Sequence, residues 1–352
     1  MRRFPLPLLL LAFSTSATAS AVKETLVKDE ARLTETVVAR AIADIERKRS
    51  DITRRDVHAK AHGCLSGTLV VEPGRPAWTR SGLYAFDKTY KVWARFSNAG
   101  PTVSADKTPD ARGAAIKVID VVGPKLIPSD PGSKNLDLLF VSEPVTPVKD
   151  LAGYIDAQKL ISGEQGAVSY LLHHPISTLR LAKMAWDGAK VVDPLFAKYF
   201  SSAPYLLGAE AAKYQLVPCS PEKITPPAKG QNSLRAAIAA HLKAGPACLA
   251  ILAQRFIDEK KTPIENFAKE WTSAVAPPVK VATVTFTQQT FDTPAQNKFC
   301  EDLSFNPWRT LPNQRPLGSL NRVRKAIYEA VAARRHQDNH AQRKEPDGTE
   351  KF

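Results

Sequence analysis

Cysteine is scarce, with 4 in 352 residues, which excludes a scaffold built from disulfides. No two cysteines are spaced C-x-x-C, so neither a thioredoxin-type redox pair nor a paired-cysteine zinc site is expected. The glycine motifs of nucleotide binding and serine hydrolysis are missing: there is no Walker-type loop, G-x-G-x-x-G or G-x-S-x-G, and no nucleic-acid partner is expected. No internal repeat is found, and beyond the N-terminus no apolar run reaches the roughly 20 residues that a transmembrane helix needs. Negative charge is also short, with 35 acidic against 49 basic residues and a formal net charge of +14. Such a surplus favours anionic partners, whether a membrane surface, a polyanion or an acidic cofactor.

Other features are ordinary or positively informative. Hydrophobic residues make up 43% and charged residues 24%, as in globular proteins. The 27 prolines argue against an all-helical bundle, since proline breaks helices and limits strands. Residues 1–21 combine Arg2 and Arg3, an apolar stretch too short to span a bilayer, and small-x-small patterns at Ala17-Thr18-Ala19 and Ala19-Ser20-Ala21. They read as a cleaved signal peptide, which predicts a periplasmic or secreted protein. Removing Arg2 and Arg3 lowers the net charge to +12. In an oxidising compartment Cys64, Cys219, Cys248 and Cys300 can pair, and spacing leaves all three pairings open.

Along the mature chain, 22–50 places Leu26, Leu33, Val37, Val38, Ile42 and Ile45 at helical spacing, predicting an N-terminal helical arm. Runs 67–72, 91–97, 113–120, 137–141, 213–219 and 279–287 are β-rich and bounded by Gly, Pro or Asp. Residues 147–187 read as helices broken near Gly163 and Pro175, and 234–260 as mostly helical with an interruption at Gly245-Pro246. A terminal helix over 320–336 precedes a polar tail, 337–352. Strands without regular β-α-β alternation predict an α+β fold with an antiparallel sheet or barrel, its main domain spanning 51–336. His173-His174 and the His336/His340 pair lack the acidic or thiolate companions of a metal site and read as surface histidines.

Three local patterns carry the chemistry. The first is Arg55-Asp56-Val57-His58-Ala59-Lys60, entering the first strand. The second is Arg95-Phe96-Ser97, followed by Asp110-Ala111-Arg112-Gly113 and Lys117, which suits either an anion site or salt bridges. The third is Arg324, Tyr328 and Arg335, spaced to share one helix face. A phenol beside guanidiniums favours its anionic form, and a tyrosinate is one of the ligands that hold haem iron.

Together these segments resemble the haem catalase superfamily, in particular its small, catalase-related branch. Val57-His58-Ala59-Lys60 resembles the V-H-A-K-G segment, with Ala61 in place of glycine. Arg95-Phe96-Ser97 resembles the R-F-S strand, residues 110–117 the D-x-R-G-x-A-x-K segment, and Arg324-x-x-x-Tyr328 the ligand helix. Residues 213–219 (KYQLVPC), 303–308 (LSFNPW) and 315–322 (RPLGSLNR) look like segments of the small branch. The resemblance runs from about Arg55 to His336. It implies a catalase-like closed antiparallel β-barrel with attached helices, holding haem b and acting on hydrogen peroxide or an organic hydroperoxide, with an organic electron donor in peroxidase turnover. It places His58 as the distal acid–base and Ser97 as its orienting partner. Arg55, Arg95 and Arg112 become haem-binding residues, Tyr328 the iron ligand supported by Arg324, and Arg335 a further propionate partner. A homo-oligomer is compatible with it.

One departure concerns the distal pocket. The family carries an asparagine on the strand after the D-x-R-G segment, before an aromatic pair. Here the stretch is Asp137-Leu138-Leu139-Phe140-Val141-Ser142-Glu143-Pro144-Val145-Thr146-Pro147, and Ser142 is the nearest polar candidate. Two other readings follow: a haem carrier or sensor with little turnover, and a colourless protein that binds anionic surfaces through its net charge.

Overall fold

The computed structural model describes residues 22–127, 133–220, 230–343 and 345–352. The expected signal peptide lies outside the described residues. Nine strands form one antiparallel sheet: β1 (Ala61–Val71), β2 (Thr89–Asn98), β3 (Arg112–Val118), β4 (Leu136–Val141), β5 (Tyr199–Phe200), β6 (Tyr205–Leu207), β7 (Glu210–Pro218), β8 (Ala247–Arg255) and β9 (Val279–Phe286). Their order is β5-β4-β3-β2-β1-β9-β8-β7-β6, and β5 also pairs with β7. That extra pairing closes the sheet into an eight-stranded barrel, with β6 extending alongside β7, and closure removes the exposed edges that invite aggregation.

Strand side chains alternate between the two faces. One set fills the barrel: Leu65, Leu69, Phe96, Ile116, Leu216, Ile251, Val284 and Phe286 are buried in a single cluster. Truncating one of them, such as Leu69 to alanine, should cost about 2–5 kcal/mol. The other set is also buried on β2 and β3, because helices cover that side of the barrel.

The stretch 247–260 differs from its expected helix. α5 (Ser233–Ala244) stops before Gly245-Pro246, and the following residues form β8, a strand paired on both sides. Two flanking strands override the helical preference of Ala and Leu, which tertiary pairing can outweigh. Disulfides join Cys219 to Cys248, tying the end of β7 to β8, and Cys64 to Cys300, tying β1 to α6 (Pro294–Asp302).

The covering helices are α1 (Glu30–Arg47), α2 (Leu151–Ser162), α3 (Ala167–His173), α4 (Pro175–Ala189), α6 and α7 (Ser319–Asp338). Val37, Ala41 and Ile45 of α1 pack against Val323, Ile327 and Val331 of α7, which is why the apolar stripe of 22–50 is helical. Arg322 on α7 clamps Glu30 at 2.6 Å and Glu24 at 2.7 Å. The last residues do not hang free: Glu345 meets Lys117 and Arg309 at 2.9 Å each, and Trp93 Nε1 donates to Glu350 at 3.0 Å. No helix among the described residues is long and apolar enough to cross a membrane.

Candidate active site

The outward face of the barrel supplies the floor of the site. In the β2-β3-β4 ladder, Arg95 faces Ala115 and Leu139, and the next row places Ser97 beside Gly113 and Val141. All of these but Gly113 line a cavity of about 340 Å³, and α7 adds Leu320, Arg324, Tyr328, Val331 and Arg335. The volume is within the usual range of small-molecule sites, roughly 300–1,000 Å³.

His58 enters from the segment before β1 with φ 60°, a left-handed conformation that histidine adopts at some cost. Its amide donates to the Ala99 carbonyl at 3.0 Å, which fixes the turn. The imidazole lies over Gly113, where a Cβ would collide with the ring and crowd Ser97 Oγ at 2.9 Å. Nδ1 is 3.0 Å from the Asn98 carbonyl and 3.1 Å from Ser97 Oγ. A carbonyl only accepts, so Nδ1 carries the proton and Nε2 is left bare as a base. Burial, then the nearby Arg95 charge, pushes the imidazole down to about 4, so it is neutral through physiological pH.

On α7, Arg324 and Tyr328 are one turn apart. Arg324 Nη2 donates to the Tyr328 oxygen at 3.2 Å, and Nη1 donates to Asn321 Oδ1 at 3.0 Å. Burial opposes the Arg324 charge, but the neighbouring Tyr328 and Tyr205 phenols outweigh it and hold the guanidinium protonated.

The third component is a knot of positive charge. Arg55, Arg95 and Arg335 gather around one carboxylate, Glu301. Arg55 Nη1 is 3.1 Å from Glu301 Oε1, and Arg335 Nη1 is 3.5 Å from the same oxygen. Arg55 and Arg335 both donate to the Leu303 carbonyl, at 2.6 Å and 3.0 Å, while Arg95 donates to the His58 carbonyl at 2.9 Å. Among the described residues, the buried Nε atoms of Arg95 and Arg335 have no hydrogen-bond partner. Burial, then Arg55, pushes Arg335 down to about 9, and burial followed by Arg55 pulls Arg95 well below its ordinary value. For Glu301, burial works upward, but the arginines around it prevail and hold it below the usual carboxylate range. Two buried guanidiniums and the partly buried Arg55 against one carboxylate leave this part of the cavity wall short of negative charge.

Two sequence candidates lie elsewhere. Ser142 does not line the cavity: its hydroxyl accepts from the Arg112 amide at 3.0 Å, and its own amide donates to the Arg112 carbonyl at 2.8 Å. Strand alternation brings Val141 to the cavity instead, so the wall there is apolar. Arg112 is fully buried but turned away, donating to Asn98 Oδ1 and to the Asp106 carbonyl. There it joins Lys60, whose ammonium is 2.6 Å from Asp106, in a network that supports the segment carrying His58. His336, expected at the surface, is buried and bonded through Nε2 to the Asp302 carbonyl at 2.7 Å. Among the described residues, no group of three or more His, Cys, Asp or Glu is placed to hold a metal ion.

Sequence reasoning missed Glu301, Val141 and Asp56. Asp56 lines the cavity, and burial raises its carboxyl to about 6. No local motif marks Glu301, and with all three cysteine pairings open in the sequence, its place beside Cys300 gave no hint either.

No family model matches the chain, and no curated protein matches it in sequence. Solved structures do. A fungal catalase matches with a TM-score of 0.62 at 17% identity, covering 85% of this chain and 63% of its own. A bacterial catalase matches with a TM-score of 0.63 at 16% identity, covering 97% and 68%. Catalase A from Saccharomyces cerevisiae matches with a TM-score of 0.62 at 15% identity, covering 96% and 69%. The chain thus spans under two thirds of the fungal catalase and slightly more of the other two. On this likeness and on its closed antiparallel barrel, the chain has a catalase-like fold.

Proposed function

We propose that the protein is an exported haem protein that degrades or uses hydrogen peroxide or an organic hydroperoxide. The observation that carries this reading is the convergence of His58, Tyr328 and the arginine knot on one cavity. Haem b fits that donor set. Tyr328 presents an oxygen, supported by Arg324, that suits ferric iron. Arg95 and Arg335 offer unspent guanidinium donors, and Arg55 adds positive charge beside them, which two propionates would satisfy. Bound haem would supply the iron at which a peroxide is held and its O–O bond broken.

The remaining work belongs to the protein. His58, neutral with Nε2 bare, takes a proton from one peroxide oxygen and returns it to the other. The Asn98 carbonyl and Ser97 Oγ hold the ring in that tautomer, and Gly113 lets it lie against the ladder. Val141, Leu139 and Ala115 keep the floor apolar, which strengthens the electrostatics of the few polar groups present.

Val141 also favours a second reading, a haem carrier or sensor with little turnover, because the wall offers no second hydrogen-bond donor to a departing oxygen. The visible spectrum of protein expressed with haem supply tests the proposal. Tyrosinate-type bands that vanish in Tyr328→Phe, with rapid peroxide turnover that is lost in His58→Ala while haem is retained, support the enzyme. Haem with turnover no faster than free haem supports the carrier. A colourless protein that also refuses added haem overturns both.

A further inference from the structure

One exposed surface is unlike the rest of the molecule. Along α3 and α4 and the end of α2, Ile161, Val168, Leu172, Ile176, Leu179 and Trp186 are turned to solvent, with Leu172 74%, Leu179 69% and Trp186 66% exposed. On α4 the exposed positions 176, 179, 183 and 186 follow the spacing of one helix stripe. A cluster this apolar marks an interaction surface rather than scattered exposure.

The charges around the patch indicate what covers it. Between residues 165 and 190 the chain carries Arg180, Lys183 and Lys190 but one acid, Asp187. Lys183 and Lys190 share Asp187 as their partner, which with Arg180 leaves a surplus of positive charge there, and Lys190 stands 5.9 Å from the Trp186 ring centroid; Glu164 at the edge is neutralised by Arg40 at 2.9 Å. Apolar side chains with an exposed tryptophan, rimmed by Lys and Arg on a protein of net charge +14, match an anionic bilayer surface. A second copy of the chain fits less well, since a two-fold contact would oppose Arg180 and Lys183 to themselves. The patch is also continuous with the cavity: Ile161 and Met184, on the same helices, line it.

We propose that the α3–α4 face docks the protein on anionic lipid, with the cavity mouth turned toward the bilayer. Docking stands whether or not the cavity holds haem. The test is co-sedimentation of the purified protein with phosphatidylcholine vesicles containing phosphatidylglycerol, against vesicles of phosphatidylcholine alone. The protein should partition onto the anionic vesicles, more weakly at high salt. Each leucine that inserts contributes roughly tenfold in partition, so Leu172→Asp with Leu179→Asp should lower binding roughly hundredfold or more. Both positions are exposed, and an unchanged far-ultraviolet spectrum and melting temperature show that the variant is folded; Leu172→Ser with Leu179→Ser provides the same test without added charge. The Trp186 emission should shift to the blue on anionic vesicles and be missing from Trp186→Phe. Failure to bind either vesicle, or equal binding by the folded double variant, overturns the proposal. So does light scattering that finds a dimer in the wild type and a monomer in the double variant, which would assign the face to self-association.

Discussion

Acid titration of His58 separates a built base from a bystander histidine. The imidazole is held at about 4, first by burial and then by the Arg95 charge, against the opposing pull of the Asn98 carbonyl. At pH 5 about nine tenths of it should be neutral, whereas an unperturbed histidine would be about 3% neutral. Peroxide turnover of the haem-loaded protein should therefore be nearly flat from neutral pH to about 5 and fall by half only near 4. Governed by an ordinary histidine, the same profile would fall by half near 6.5 and sit about thirtyfold lower at pH 5.

Nitrogen chemical shifts of the cofactor-free protein give an independent readout, with Nδ1 protonated and Nε2 bare until about pH 4. Stability follows the same linkage. His58 is a base whose folded pKa is below its unfolded value, so the unfolded chain takes up a proton below 6.5 and the folded chain does not until about 4. Across that window folding loses about 3 kcal/mol. Denaturant melts of His58→Gln should show that this acid sensitivity is relieved relative to wild type. A turnover half-point at pH 6 or above, with His58 titrating there by nitrogen shift, would refute the reasoning.

Three further outcomes follow from other buried groups. Asp56 has the opposite sign: its carboxyl is raised to about 6 by burial, so stability is lost as pH rises through that range, and Asp56→Asn should gain about 3 kcal/mol at pH 8 and nothing near pH 3 in urea melts. The Cys64–Cys300 bridge spans 236 residues and the Cys219–Cys248 bridge 29, so replacing the first pair with alanine should cost about 2 kcal/mol more than replacing the second, read by calorimetry. Glu345 and Asp137 together neutralise buried Lys117 and Arg309, and Glu345→Gln should cost about 3–5 kcal/mol in the same melts, because it leaves Asp137 alone against two buried cations.

Strands and site were legible in the sequence to different degrees. The short β-rich runs bounded by Gly and Pro marked most of the barrel, and α7 was visible from its periodicity. β8 was not, because Ala and Leu carry little strand preference and the pairing with β7 and β9 that decides the matter is long-range. Arg324 and Tyr328 were readable because one helix turn joins them. His58 comes from a different segment than Arg95 and Ser97, and only the likeness of both to known motifs linked them before the structure did. Ser142 illustrates the limit of proximity in sequence. Period-two alternation sends its hydroxyl to the Arg112 amide, and the neighbouring Val141 takes the cavity side.

The arginine knot gives the fold a reason to bind something. Burial and the neighbouring Arg55 charge depress the protonation of Arg95 and Arg335, and two of their buried nitrogens lack partners among the described residues. A group used only for stability would not be built this way, since unpaired buried charge is costly and an apolar substitute of similar shape is often better. A ligand bringing two carboxylates would satisfy those donors and relieve the repulsion in the native state alone. Binding of that kind adds RT ln(1 + [L]/Kd) to stability, about 2.7 kcal/mol at a hundredfold excess over Kd. The cofactor should thus raise the melting temperature of the wild type, and raise it less in Arg95→Met, where one unspent donor and one source of repulsion are removed together. The same charge that suits a ligand with two carboxylates thus makes the empty protein the less stable form.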